Sequence, residues 1–228
     1  MNIGAKRLGV VLVGATCLAL YSSVFASTCV TGKADVQRYM DYFSRALRAH
    51  DPAHAEQGEV LAREALTGQT ADLQEAIDRG VVNPDTVFHL GGINDVPLLA
   101  LAILGCQDYT TRALINAGAD VNGTATFRPI AVAASNGDAV IAAFLLQHGA
   151  PIDSVDSSGH MPLEIAVRQR QLSTVKLFLA HDSHPNRRLA GGGTILDLVA
   201  PSDDPGDLAI ANELRSHGVK SSLERKSN

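Results

Sequence analysis

The chain has no tryptophan, and only 4% of its 228 residues are aromatic. A core anchored on large rings is therefore excluded, and buried surface has to come from close approach of small and aliphatic side chains. Alanine (32 residues) and leucine (26 residues) supply that material and favour helices packed on helices. Basic clusters are also missing: no run of Lys or Arg exceeds a dipeptide, and 19 Lys plus Arg face 24 Asp plus Glu for a formal charge of −5. Such a balance gives nucleic acid no electrostatic footprint to follow. A hydrophobic content of 46% excludes disorder, and the length suits one domain or one repeat array. The catalytic signatures Gly-x-Ser-x-Gly, His-Glu-x-x-His, Cys-x-x-Cys and Gly-x-x-x-x-Gly-Lys do not occur.

What is present begins with an address label. Lys6-Arg7 forms a short basic region, Leu8 to Tyr21 an apolar core, and Val24-Phe25-Ala26 an exit with small residues before Ser27. Residues 1–26 thus read as a cleaved secretory signal, with an uncleaved anchor as the alternative. The residues before Cys17 and Cys29 lack the large aliphatic side chain expected of a lipoprotein. Loss of Lys6 and Arg7 takes the formal charge from −5 to −7, and loss of Cys17 leaves the pair Cys29 and Cys106. In an oxidising compartment that pair allows a single connectivity, provided that geometry lets the thiols meet.

Internal periodicity organises the rest. Pro97, Pro129, Pro162 and the aligned Ile195 are spaced 32, 33 and 33 residues apart, and each opens an apolar stretch such as Pro97-Leu98-Leu99-Ala100-Leu101-Ala102. A second landmark follows: Gly118-Ala119-Asp120-Val121-Asn122, then Gly149-Ala150-Pro151-Ile152-Asp153, then Asp182-Ser183-His184-Pro185-Asn186, and a degenerate Gly218-Val219. Proline at a first helical position presets φ without losing a needed N–H, and glycine after a helix supplies a left-handed cap. In the best unit helix one runs from Pro129 to Ser135, Gly137 turns the chain, and helix two runs from Ala139 to Gln147.

These landmarks resemble the ankyrin repeat over about residues 57–220. The resemblance implies an all-α solenoid of about five helix-turn-helix repeats with short hairpin fingers, the first and last repeats being degenerate caps. Residues 27–56 are expected to hold a capping helix, with Val36, Met40, Phe43 and Leu47 on one stripe of Ala34–Ala49, followed by a loop from Asp51 to Gly58. Residues 221–228 read as a polar tail. The family's Thr and His at each opening are mostly replaced: Val96, Arg128, Met161 and Thr194 stand at the first position, and Leu99, Ala131, Glu164 and Asp197 at the second. Polar ties between repeats are therefore expected to be depleted.

Other clusters have plain readings. Gly191-Gly192-Gly193 falls where a finger enters the next repeat and reads as a turn. His148, His181 and His217 occupy one column of successive repeats, too far apart to share a metal, and suit the C-terminal end of a helix dipole. Asp156, Ser158 and His160 combine the side chains of a catalytic triad, but they sit at a finger tip and read as a loop. Asp203-Asp204 reads as a loop that caps the following helix. No cofactor or metal is expected.

Surface remains. The resemblance implies partner contacts through finger tips and the exposed positions of first helices. Those are Phe88, His89, Asn94 and Asp95; Phe127 and Arg128; Asp156, His160 and Met161; Arg187 and Arg188; and, on the helices, Ile103, Leu104, Ser135, Asn136 and Arg168. Phe127 stands out as an aromatic where solvent is expected. The sequence thus reads as a non-catalytic, periplasmic protein-binding module with no nucleic-acid partner and, after cleavage, no membrane attachment. The resemblance to small exported bacterial ankyrin proteins suggests immunity to a secreted toxic effector, or alternatively service to a periplasmic enzyme such as a catalase. An enzyme or metal carrier using the histidines is the rival class.

Overall fold

A computed structural model describes residues 29, 33–68, 70–90, 95–124, 126–181, 183–200 and 202–226. The leader reading and Asn94 lie outside the described residues. Two helical layers run the length of the array. The first holds α2 (Ala55–Thr67), α4 (Leu98–Leu104), α6 (Pro129–Asn136) and α8 (Pro162–Arg168), and ends in a 3-10 turn at Ile195–Leu198. The second holds α3 (Thr70–Asp78), α5 (Asp108–Asn116), α7 (Ala139–Gln147), α9 (Leu172–Ala180) and α10 (Pro205–Ser216). Each helix packs on its predecessor in its own layer, so a continuous apolar core replaces a central one.

Helix α1 (Lys33–His50) packs on α2 with Met40, Phe43 and Leu47 buried. The loop behind it is shorter than the sequence suggests: α2 begins at Ala55, which is buried, so Ala55 to Gly58 are helical. At the far end, the expected polar tail instead forms a short helix α11 (Ser222–Lys226). The N–H of Ser222 donates to the Asp197 carboxylate, Oδ1 at 3.0 Å, and pins this segment to the last repeat.

One finger is a hairpin, in which β1 (Val87–His89) pairs antiparallel with β2 (Asp95–Pro97) with Phe88 opposite Val96. The next finger is shortened and closed by mutual bonds: Thr124 N–H donates to the Phe127 carbonyl at 3.0 Å, and Phe127 N–H donates to Thr124 Oγ1 at 3.1 Å.

The expected depletion of ties between repeats is corrected by the structure, which places them at other positions. Asp85 accepts the N–H of Asp120, Thr124 Oγ1 donates to the Asp95 carbonyl at 2.8 Å, and Asn136 Nδ2 donates to the Ile103 carbonyl at 2.7 Å. Asp153 accepts the N–H of His184 and pairs with its imidazole. Loop carboxylates and amides thus do the work that the opening Thr and His do in the family pattern.

Candidate functional site

Three helices of the first layer, α4, α6 and α8, are buried nearly throughout. Leu98 to Leu104 are all buried, as are Pro129 to Ser135 and Pro162 to Val167, and a helix without a polar side can only be an interior element. This corrects several expected contact positions. Ile103 and Leu104 are core, not groove, and Ser135 is buried in α6. Asn136 is part-buried, with its amide spent on Ile103 and within 3.5 Å of Cys106 Sγ. Met161 is buried at the N-cap of α8.

Both aromatic finger candidates turn inward as well. Phe127 is only 4% exposed, because the shortened finger folds back through the Thr124 bonds and carries the ring onto the core. Phe88 is the middle residue of β1, and alternation aims it at α1, where it meets the Phe43 ring edge-on at 5.1 Å. Neither ring is available to a partner.

What the fingers do present is polar. His89 is exposed and bonded to Asp95 (Nδ1 to Oδ1, 2.9 Å). Arg128 is half-buried and donates to the Asn122 carbonyl at 3.1 Å. Asp156 is spent on its own loop: Oδ1 accepts the N–H groups of Ser158 (2.8 Å) and His160 (2.9 Å). Ser158 is exposed, and the imidazole of His160 lies 3.8 Å from Asp156 and 3.6 Å from the buried Glu164, so the cluster is a closed loop with its carboxylates committed. Arg168 is exposed and grips Glu164 through two N–H groups at 2.8 and 3.0 Å. Arg187 and Arg188 are exposed on the last finger without a carboxylate partner among the described residues; Arg188 reaches only the Gly192 carbonyl, at 3.3 Å.

The histidine column has a structural cause. The Nδ1 atoms of His148, His181 and His217 lie 2.9, 2.9 and 3.0 Å from the carbonyls of Phe144, Leu177 and Glu213, four residues earlier in each case. Each ring thus sits against a carbonyl in the last turn of its helix, where backbone acceptors outnumber donors. Among the described residues no group of three His, Cys, Asp or Glu is arranged to hold a metal, and no helix is long and apolar enough to cross a membrane. Cys29 and Cys106 form a disulfide with Cα atoms 5.4 Å apart.

A groove of about 880 Å³ between α1, α2 and β1 was not anticipated from the sequence. Val60 on α2 and Val81 after α3 line it while 54% and 71% exposed. An aliphatic residue off the helical stripe was the only sequence signal, and scattered exposed valines are too common for that signal to discriminate.

No curated protein matches the chain. Residues 97–188 match the family described as ankyrin repeats, in three copies. That stretch spans the openings at Pro97, Pro129 and Pro162, with the paired helices and fingers between them. Ankyrin repeats are generally a non-catalytic protein-interaction module, and the fold and the match together identify residues 97–188 as ankyrin repeats.

Proposed function

We propose that the protein is exported to the bacterial periplasm and there binds and neutralises another protein, as an immunity protein does with a secreted toxic effector. The observation that carries the reading is the last finger. Arg187 and Arg188 stand exposed and without a carboxylate partner among the described residues, on a scaffold whose helices α4, α6 and α8 are buried nearly throughout. Arginines on a rigid support lose little entropy on binding and dominate contact energies, so an acidic surface that lands on this finger gains orientation and affinity. Export rests on Lys6-Arg7, the apolar run and the Ala26 exit.

The test has two parts. Cells expressing the whole gene are fractionated, and the periplasmic form is expected to begin at Ser27 by N-terminal mass analysis. That form then serves as bait in periplasmic extract, and a captured protein is titrated against wild type and against Arg187→Glu with Arg188→Glu. A loss of at least about tenfold in affinity is expected. Undiminished affinity removes the finger from the interface. Failure of co-expression to protect cells from the captured protein removes the immunity role.

A further inference from the structure

We propose that the groove between α1, α2 and β1 is a second contact region and takes a cationic, aliphatic peptide segment. This rests on reading the chain as a protein-binding module but not on the arginine finger. The floor is aliphatic: Leu47, Leu61, Val82 and Val87 line it beside Val60 and Val81. Of the large hydrophobic side chains, these two valines are among the most exposed, and both border a single concavity. Burying them under a ligand removes apolar area from water, which no contact within the described chain does.

Charge selects the ligand. Asp51, Glu56 and Glu64 line the groove, and no Lys or Arg is among its described lining residues. Asp51 is shared with His54, whereas Glu56 is exposed and its carboxylate makes no hydrogen bond or ion pair among the described residues. An anionic peptide would meet the like charge of Glu56, and a neutral apolar one would leave that carboxylate partly desolvated and unpaired. A segment in which Lys or Arg alternates with Leu or Val places its apolar side on the valines and its cations on the rim.

The experiment titrates the purified protein with a short amphipathic Lys/Leu peptide and with its Glu/Leu counterpart of the same pattern. The cationic peptide is expected to bind with an affinity that falls as salt is raised, and the anionic one not to bind. Val60→Ser with Val81→Ser, and separately Glu56→Lys, are each expected to weaken binding by about tenfold or more, since all three side chains are exposed and their replacement leaves the core intact. Glu75→Lys on α3, outside the groove, is expected to leave binding unchanged. Equal binding of the two peptides, wild-type binding by the valine variant, or an equal loss with Glu75→Lys each overturns the proposal. A protein that keeps its partner through Arg187 and Arg188 while failing these tests loses only the groove.

Discussion

Among the described residues, two other than glycine hold a left-handed backbone, Cys106 at φ 51° and Arg170 at φ 57°. Both stand directly before the N-cap of a second helix, where the repeat between them has Gly137 at φ 73°. A side chain there costs about 1 kcal/mol, and in each case the side chain offsets it by fastening something. Cys106 bonds to Cys29, and Arg170 reaches Asp207 on α10 at 2.9 Å, a carboxylate that is nearly buried. Arg170→Gly is therefore expected to destabilise despite relaxing the backbone. Loss of the partner of a buried carboxylate outweighs the strain relief by about 2 kcal/mol. Urea unfolding of the single variants and of Arg170→Gly with Asp207→Asn forms the cycle that checks it, and an absence of coupling would remove the pair as a fastening. The cysteine pair was legible in the sequence, but the two turns were not, because a left-handed backbone leaves no mark on residue identity unless the residue is glycine. Phe127 was misplaced for a related reason: the sequence reveals a short finger, but not that Thr124 closes it inward.

Among whole elements, the period of prolines and glycines located the paired helices of the repeats to within a few residues, because those residues act through local φ preferences. The sequence was silent where tertiary contact decides, as in the extension of α2 back to Ala55 and the folding of the tail into α11. The fourth opening, at Ile195, shrinks to a 3-10 turn held by a capping box between Thr194 and Asp197, just ahead of Pro201, whose ring disfavours helix in the residue before it. Burial works against the charge of Asp197, but the N–H groups and side chains of Thr194 and Ser222 outweigh it and hold its carboxyl below the ordinary 3.8. A depressed carboxylate stabilises the fold above the unfolded pKa, and that contribution is lost as pH falls through the folded value. Asp197→Asn is expected to cost about 1 kcal/mol at pH 7. The difference from wild type should close in strong acid, below pH 3.8, and unfolding at both ends of that range measures it. Asp108, at the start of α5, has the opposite sign. Burial, then the charge of Asp138, raise it above 3.8 against the pull of Arg112. Its protonated form is the one the fold prefers, so its contribution is present below 3.8 and is lost as pH rises through the folded value. Asp108→Asn is expected to stabilise at neutral pH and to be near neutral in acid; a variant less stable at pH 7 would contradict the sign.

At the scale of the molecule, a solenoid is vulnerable at its two ends, where a repeat has no neighbour to cover it. The C-terminal end is closed by α10 and by α11 pinned to Asp197. The N-terminal end is closed by α1 and by the Cys29–Cys106 bridge, which joins a residue just ahead of that cap to the turn between α4 and α5, 77 residues later in the chain. Covalent closure of so long a loop restricts the unfolded chain, and on the chain-entropy account it stabilises by about 4 kcal/mol. Cys29→Ser is expected to lose that amount, and reductant should bring wild type to the same level while leaving the variant unchanged. Cys106→Gly loses the same bridge but regains the left-handed backbone at no steric cost, so it should unfold at a higher denaturant midpoint than Cys106→Ser, by about 1 kcal/mol. Denaturant midpoints of these variants with and without reductant separate the two contributions. If reductant shifts Cys29→Ser as much as wild type, the loss does not belong to this bridge; if the two Cys106 variants unfold together, the left-handed turn carries no strain for the bridge to hold.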